Sequence, residues 1–414
     1  MVLHRKEDTQ RMAISELKRY KLRMQIIRLL YKRNLQSASA LSKKINVSLP
    51  TVRSILEDLI EEKVVVASGT GNSQGGRKPT IYSLSGDAFF ILAIELGQYR
   101  GKAVIFNSLN EEVLPVVGFE TNIDDPKLEE KMEKVIGELL TRAGLQPDEL
   151  SAIGVSMPGL VDSETGINRT IKRTEDRNIA ARLTKRFGIR TYIENDARMQ
   201  GLGEFVFGKA KNTNNTLIIN WNWGLGLGMV LNGDIYSGAT GCAGELSHIR
   251  IMENGKLCDC GKRGCLQTIA GAQHLLDMAR EEIARGTISQ LTSQFGERPQ
   301  ELTPDDIINC AKKGDELSIS LLTTISTNLA WGISILIQLY NPELIVLNGP
   351  LTQAGQFILI PVQHALNQYC LKNISENVRI EISEMGDHSG LKGVAVMVFQ
   401  NIFRDKSMDI NMNN

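Results

Sequence analysis

Residues 258–265 read CDCGKRGC, so three of the chain's six cysteines fall within eight positions. A histidine, His248, stands ten residues before the first of them. Thiolates and an imidazole are donors for borderline and soft metals. Glycines at 261 and 264 let the chain double back so that close thiols converge. Two other outcomes stay open at this point, a local disulfide or a set of free buried thiols. A Cys258–Cys260 bridge would be strained. Six cysteines with three clustered do not make the disulfide framework of a secreted protein. Cys242 is a decoy for the cluster, and Cys310 and Cys370 read as core residues.

Charge is the second chemical feature. The 414 residues sum to a net charge of zero, yet residues 1–85 hold 16 Lys and Arg against 7 Asp and Glu. A basic head on an acidic body points to a polyanion as the head's partner. A solvated basic helix face is the plainer alternative. Within the head, LQSASALSKKINVSLPTVRSILEDLIEEKVV (35–65) carries two short helical patterns. Ala40, Leu41 and Ile45 line one; Val52, Ile55, Leu56 and Leu59 line the next. Asn46 between them suits a left-handed turn, Ser48 a cap, and Pro50 a first helical turn. KLRMQIIRLLYKRN (21–34) supplies a third helix, and residues 64–84 read as two strands around a Gly/Ser tip. Three helices and a hairpin in this order predict a winged helix-turn-helix over 1–85. Ser48, Thr51 and Arg53 would then meet a major groove, and Arg77 and Lys78 in the wing would reach phosphates or a minor groove. The partner implied is double-stranded operator DNA.

The elements after residue 88 change character. FFILAIELG, GKAVIFNSL and LPVVGFET are strand-like, KLEEKMEKVIGELLTRAG (127–144) is helical, and LSAIGVSMPG and TYIENDA (191–197) are strands again. NTLIINWNWGLG and GMVLNGDIYSG then form a glycine-rich hairpin, followed by helices and the strands LIVLNG and VRIEISEM. A repeated strand–strand–strand–helix–strand order predicts two α/β lobes with a cleft, spanning 86–194 and 195–385. The helix at 390–403 is expected to complete the first lobe, giving it 386–403. At 42% apolar residues the chain packs as an ordinary globular protein. WGISILIQLY (331–340) reads as a buried helix, so no membrane partner is expected. The N-terminus lacks the apolar stretch of a signal peptide, which points to the cytoplasm.

MPGLVD (157–162), ENDA (194–197), GCAGELSH (241–248) and CDCGKRGC together resemble the ROK family (repressor, open reading frame, kinase). The resemblance covers roughly 88–403 and implies the actin-like, ribonuclease H-like fold of sugar kinases. The winged helix before it points to the repressor branch. The resemblance completes a Cys3His set of His248, Cys258, Cys260 and Cys265, which suits a closed, structural Zn2+ site. It also implies a sugar pocket from Gly159, Asn195, Asp196, Glu245 and His248. Carboxylates and an amide pair well with vicinal hydroxyls. In related kinases the residue matching Asp196 is the general base; Asn195-Asp196 would serve equally as a helix cap. Gln267 stands where the family usually has Glu, so the sugar ligand set departs there.

The nucleotide side departs further. The family's Asp-x-Gly-Gly-Thr-Lys is here Glu95-Leu96-Gly97-Gln98-Tyr99-Arg100, its Gly-Thr-Gly is Asn222-Trp223-Gly224, and its later Gly-Gly is Asn348-Gly349. Bulk at such positions removes the close backbone approach a phosphate cradle needs. ATP is therefore not expected, catalysis is expected to be lost, and Asp196 would be a vestigial base. The expected protein is a sugar-responsive regulator, most simply a repressor, acting as a homodimer or dimer of dimers on paired half-sites. A bifunctional sugar kinase and a constitutive DNA-binding protein are the rivals.

Overall fold

The computed structural model describes residues 12–32, 35–71, 78–97, 100–171, 177–386 and 388–403. The chain divides into two compact units, one of residues 1–157, 163–193 and 394–414, the other of 158–162 and 194–393.

In the first unit the head opens with α1 (Ile14–Lys32), α2 (Ala38–Ile45) and α3 (Leu49–Glu61). Helix α1 begins before the stretch 21–34 picked out by apolar spacing, because Glu16 accepts the Ala13 N–H at 3.1 Å and closes its first turn. The turn between α2 and α3 follows from its residues. Asn46 takes φ +53° and donates its N–H to the Ser42 carbonyl. Ser48 caps α3 by accepting from the Thr51 N–H, with Pro50 in the first turn. Val52, Ile55, Leu56 and Leu59 are buried as one stripe, and each such side chain stabilises the fold by about 1.5–3 kcal/mol.

Strands β2 (Val65–Thr70) and β3 (Thr80–Leu84) pair antiparallel as the wing. Its tip, with Arg77, lies outside the described residues. A third strand, β1 (Gln36–Ser37), pairs with β3 through Gln36 and Tyr82. Two residues are too few to leave a period in the sequence. Tyr31, at the end of α1, stacks its ring on Phe399 with centroids 3.4 Å apart and donates its hydroxyl to Asn110.

The body of the first unit is built on β4 (Phe90–Leu96), β5 (Arg100–Asn107), β6 (Val117–Glu120), β7 (Leu150–Met157) and β8 (Thr191–Asn195), ordered β8-β7-β4-β5-β6. Helices α4 (Leu128–Ala143) and α5 (Ile179–Phe187) accompany this sheet. The second unit repeats the order with β9 (Thr216–Trp221), β10 (Leu225–Leu231), β11 (Asp234–Ile235), β12 (Leu344–Asn348) and β13 (Arg379–Ile382), arranged β11-β10-β9-β12-β13. In each sheet the first strand pairs antiparallel with the second and parallel with the fourth. That doubled arrangement is the actin-like, ribonuclease H-like sugar-kinase fold.

Between β8 and β9 runs α6 (Asp196–Phe207). The strand expected to reach residue 197 stops at Asn195, whose side chain accepts the Arg198 N–H at 3.1 Å and starts this helix. The second unit continues with α7 (Gln267–Ala270), α8 (Ala272–Ala284), α9 (Gln290–Phe295), α10 (Pro304–Lys312), α11 (Glu316–Tyr340), α12 (Gln356–Tyr369) and α13 (Lys372–Ser375). Helix α11 is long and apolar enough to cross a membrane. Leu322, Ile325, Leu329 and Ile333 are fully enclosed, so it is a core helix here. The last helix, α14 (His388–Phe403), packs its C-terminal part on β7. A Cβ at Gly154 would lie 2.4 Å from Val394 and Val398, so only glycine admits that contact.

Candidate functional site

Leu246–His248 is a single 3-10 turn, and the loop after it returns as an irregular hairpin in which Leu257 bridges Arg263. Gly264 takes φ +77°, and a side chain there would strike the Met252 carbonyl. This reversal brings His248, Cys258, Cys260 and Cys265 together, with all four donor atoms within 4.8 Å of one another. His248 Nδ1 is 3.6 Å from Cys258 Sγ, and Cys260 Sγ is 3.6 Å from Cys265 Sγ. Tetrahedral zinc with ordinary bond lengths would place sulfurs about 3.8 Å apart and sulfur and nitrogen about 3.6 Å apart. The four residues fit such an ion and leave no fifth donor to account for. No cysteine among the described residues is in a disulfide.

The thiols differ in environment. A hydrogen bond from the Lys262 backbone lowers the Cys260 thiol, and the neighbouring thiols add to this. Burial pushes the Cys265 thiol up to about 12, reinforced by Cys260 and Cys258. Cations reverse that balance by binding the thiolate directly. Gln267 Nε2 donates to Cys258 Sγ at 3.1 Å, the kind of outer contact that orients a metal ligand. A Glu here would instead set a carboxylate against a thiolate. The Gln267 oxygen faces the hairpin, 3.2 Å from where a Cβ on Gly224 would stand.

His248 has two faces. Its Nδ1 looks to the sulfurs, and its Nε2 stands 3.8 Å from Glu245 Oε2. That separation is longer than a hydrogen bond, so neither group consumes the other. Asp196 belongs to the same neighbourhood: burial raises its carboxyl, the Ala197 N–H at 2.9 Å holds it back, and repulsion from Glu245 raises it again. Asn195 is engaged at both ends, accepting from Arg198 N and donating Nδ2 to the Gly159 carbonyl at 3.1 Å. Gly159 sits at φ +106°, where a side chain would be strained. The cap and the pocket readings of Asn195 are thus compatible, since one N–H of its amide remains over.

On the nucleotide side, Gln98 and Tyr99 lie outside the described residues. The loop between β9 and β10 is fully described. Asn222 N donates to the Gly224 carbonyl at 3.0 Å, and Trp223 N donates to Asn222 Oδ1 at 2.9 Å. Both N–H groups therefore point into the loop. The Trp223 side chain is 40% exposed, while Trp221 is enclosed and donates to the Ala270 carbonyl. Asn348 is buried and donates to Ser389 Oγ at 2.8 Å.

In the head, Ser48 and Arg53 are exposed at the start of α3, Thr51 is half-buried, and Lys78 is exposed beside the wing. Two acidic residues at the end of α3 and just past it are held by α1: Arg19 bonds Asp58 and also Ser54, and Arg23 bonds Glu62. Two side chains were given no role in the sequence reading, Glu194 and Arg198. Their four-residue spacing is visible there, but one ends a strand and the other is in a helix, so helical pairing does not describe them.

The sequence model of the ROK family matches residues 91–401. A xylose repressor of Caldicellulosiruptor bescii is 26% identical over 369 residues, 88% of this chain and 92% of that one. A glucokinase of Halalkalibacterium halodurans is 31% identical over 255 residues, covering 61% of this chain and 77% of that protein. Among solved structures, a ROK family transcriptional regulator described as a homolog of E. coli MLC protein superposes with a TM-score of 0.78. It is 24% identical, with 93% of this chain and 97% of that chain covered.

Proposed function

The chain belongs to the ROK family, and we propose that it is a sugar-responsive transcriptional repressor of the cytoplasm. In this reading 1–85 is the DNA-binding domain, 86–194 with 386–403 the first lobe, and 195–385 the second. Ser48, Thr51 and Arg53 enter the major groove, while Lys78 and Arg77 hold the backbone. The observation that carries the DNA reading is the place of Arg53, exposed in the first turns of α3, while Asp58 and Glu62 toward the other end are paired with Arg19 and Arg23. Similarity to a xylose repressor along nearly its whole length supports the repressor branch.

The effector is a sugar or sugar derivative held by Gly159, Asn195, Asp196, Glu245 and His248, with Gln267 behind them. One Zn2+ on His248, Cys258, Cys260 and Cys265 fixes the imidazole so that Nε2 faces the ligand. Zinc here is structural: four protein donors leave no open position for chemistry. Paired half-sites call for a homodimer or a dimer of dimers. Trp331, Leu339 and Tyr369 offer exposed apolar surface on α11 and α12 for such an assembly.

Sugar that binds one state of the protein shifts the population toward it. At about 100 times its Kd the shift is about 2.7 kcal/mol, on the order of a hundredfold in operator affinity if fully coupled. Genomic fragments retained by the protein should be released by D-xylose, D-glucose or one of their phosphates. Arg53→Ala should cut the preference for these fragments over random DNA by roughly 5- to 150-fold, from the loss of about 1–3 kcal/mol at one base. Retention unaffected by deleting 1–85, or by every sugar in the panel, would overturn the reading.

A kinase reading has its own support in the similarity to a glucokinase. Phosphoryl transfer needs backbone N–H groups and magnesium around the γ-phosphate. In the Asn222–Gly224 loop two such N–H groups already donate within the loop. Isothermal titration with millimolar ATP and magnesium is therefore expected to show no saturable heat, with or without sugar. Saturable binding together with sugar phosphate formation would establish the bifunctional kinase instead.

A further inference from the structure

The second unit contains one arginine whose guanidinium is almost wholly enclosed. Arg198 is 2% exposed, in the first turn of α6. Its Nε donates to Glu194 Oε1 at 2.8 Å, and Nη2 reaches the same oxygen. Nη2 also donates to the Val161 carbonyl at 2.8 Å, and Nη1 donates to the Gly241 carbonyl. Glu194 Oε1 in addition accepts the Asn195 N–H at 2.7 Å. Every nitrogen of the guanidinium is thus in use, on three chain segments that are 4, 37 and 43 residues from Arg198.

Those segments are the ones that carry the proposed sugar ligands. Val161 is two residues beyond Gly159, Asn195 and Asp196 lie between Glu194 and Arg198, and Gly241 opens the loop that leads to Glu245. Gly241 takes φ +72°, and a Cβ there would stand 3.1 Å from the Val161 carbonyl, so the two loops touch at the arginine. A buried ion pair is weak as a source of stability, because desolvation offsets its attraction. A planar fork with fixed donor directions is, however, well suited to hold several acceptors in register. Lysine offers a single nitrogen and could not reach all three.

We propose that Arg198 is a positioning residue of the effector site, holding the Gly159, Asn195–Asp196 and Glu245 segments in the one arrangement that receives a sugar. It touches no sugar itself. This inference rests on the sugar-binding reading above and adds to it the device that sets its geometry.

The test is the double variant Glu194→Gln with Arg198→Met, which removes both buried charges and so avoids stranding either one. Zinc content, and operator affinity without sugar, should stay as in the wild type, the latter within about twofold. Hydrogen exchange of residues 158–162 and 240–245 in sugar-free protein should speed up at least roughly tenfold as the tethers go. Titration with D-xylose and D-glucose should give a Kd at least roughly tenfold weaker, the loss of about one charge-assisted bond's ordering. Arg198→Lys, which keeps the charge pair, is the second variant and is read where the double variant does not fold. It should lose sugar affinity while keeping the fold. Loop exchange and sugar Kd both within twofold of the wild type in a folded variant would overturn the proposal. A wild type that binds neither these sugars nor their phosphates would remove the functional reading, and the exchange rates would then decide the tether alone.

Discussion

Replacing Cys265 by serine is expected to release the zinc and to lower the melting temperature of the protein by roughly 8–16 °C. The size follows from two steps. An ion at about 1,000 times its Kd stabilises the state that binds it by about 4.1 kcal/mol. For a unit of some 200 residues each kcal/mol moves the midpoint by about 2–4 °C. Cys265 is the right ligand to change because it is fully buried, with its thiol pushed up to about 12 where no cation offsets that burial. Serine keeps the volume but is a poor zinc donor, so three ligands remain for an ion that needs four. Cys242→Ser, outside the cluster, should leave both zinc content and midpoint unchanged. Elemental analysis that finds no zinc in wild type purified without chelators would refute the assignment, even if Cys265→Ser melts early.

The turn in the head and the cysteine loop were legible in the sequence for the same reason: each is made of local chemistry. Asn46 and Ser48 announce a left-handed residue and a cap two positions apart, and both do those jobs. The strand runs of the body were legible by their period, except that Asp234–Ile235, the fifth strand of the second sheet, is two residues long and was read as the end of GMVLNGDIYSG. What stayed hidden is what depends on distant partners. Gln267 could be noticed as a departure from the family, but only the fold shows its amide donating to Cys258. Arg198 looks like any charged residue near a helix start until the carbonyls of Val161 and Gly241 are beside it. Strand β1 exists because β3 is there to pair with it, not because Gln36 and Ser37 favour a strand. Trp223 shows the opposite case. Its bulk suggested a lost phosphate loop, and the fold adds a different obstacle, an Asn222 side chain that takes up the loop's own N–H.

Asp196→Asn should weaken sugar binding by roughly 10- to 100-fold, the worth of about 1.5–3 kcal/mol for a hydrogen bond to a charged acceptor. Operator affinity in the absence of sugar should not change, because the residue lies far along the chain from the head and its backbone role is kept: asparagine can still accept the Ala197 N–H. The sign of the pH dependence follows from the same carboxylate. A sugar hydroxyl donates to the ionised form, so affinity is full above the pKa of the free protein's Asp196 and is lost as the pH falls through it. Burial, with repulsion from Glu245 beside it, raises that pKa above the ordinary aspartate value. The loss should therefore set in at milder acidity than a solvent-exposed aspartate would give, and the Asp196→Asn variant should show no such step. Sugar titrations of both proteins across the acid limb, with operator release measured alongside, separate the two roles open to Asp196. An equal pH profile in wild type and variant would mean that the carboxylate does not meet the sugar. A variant that has lost operator binding as well would mean that α6 supports the fold rather than the pocket.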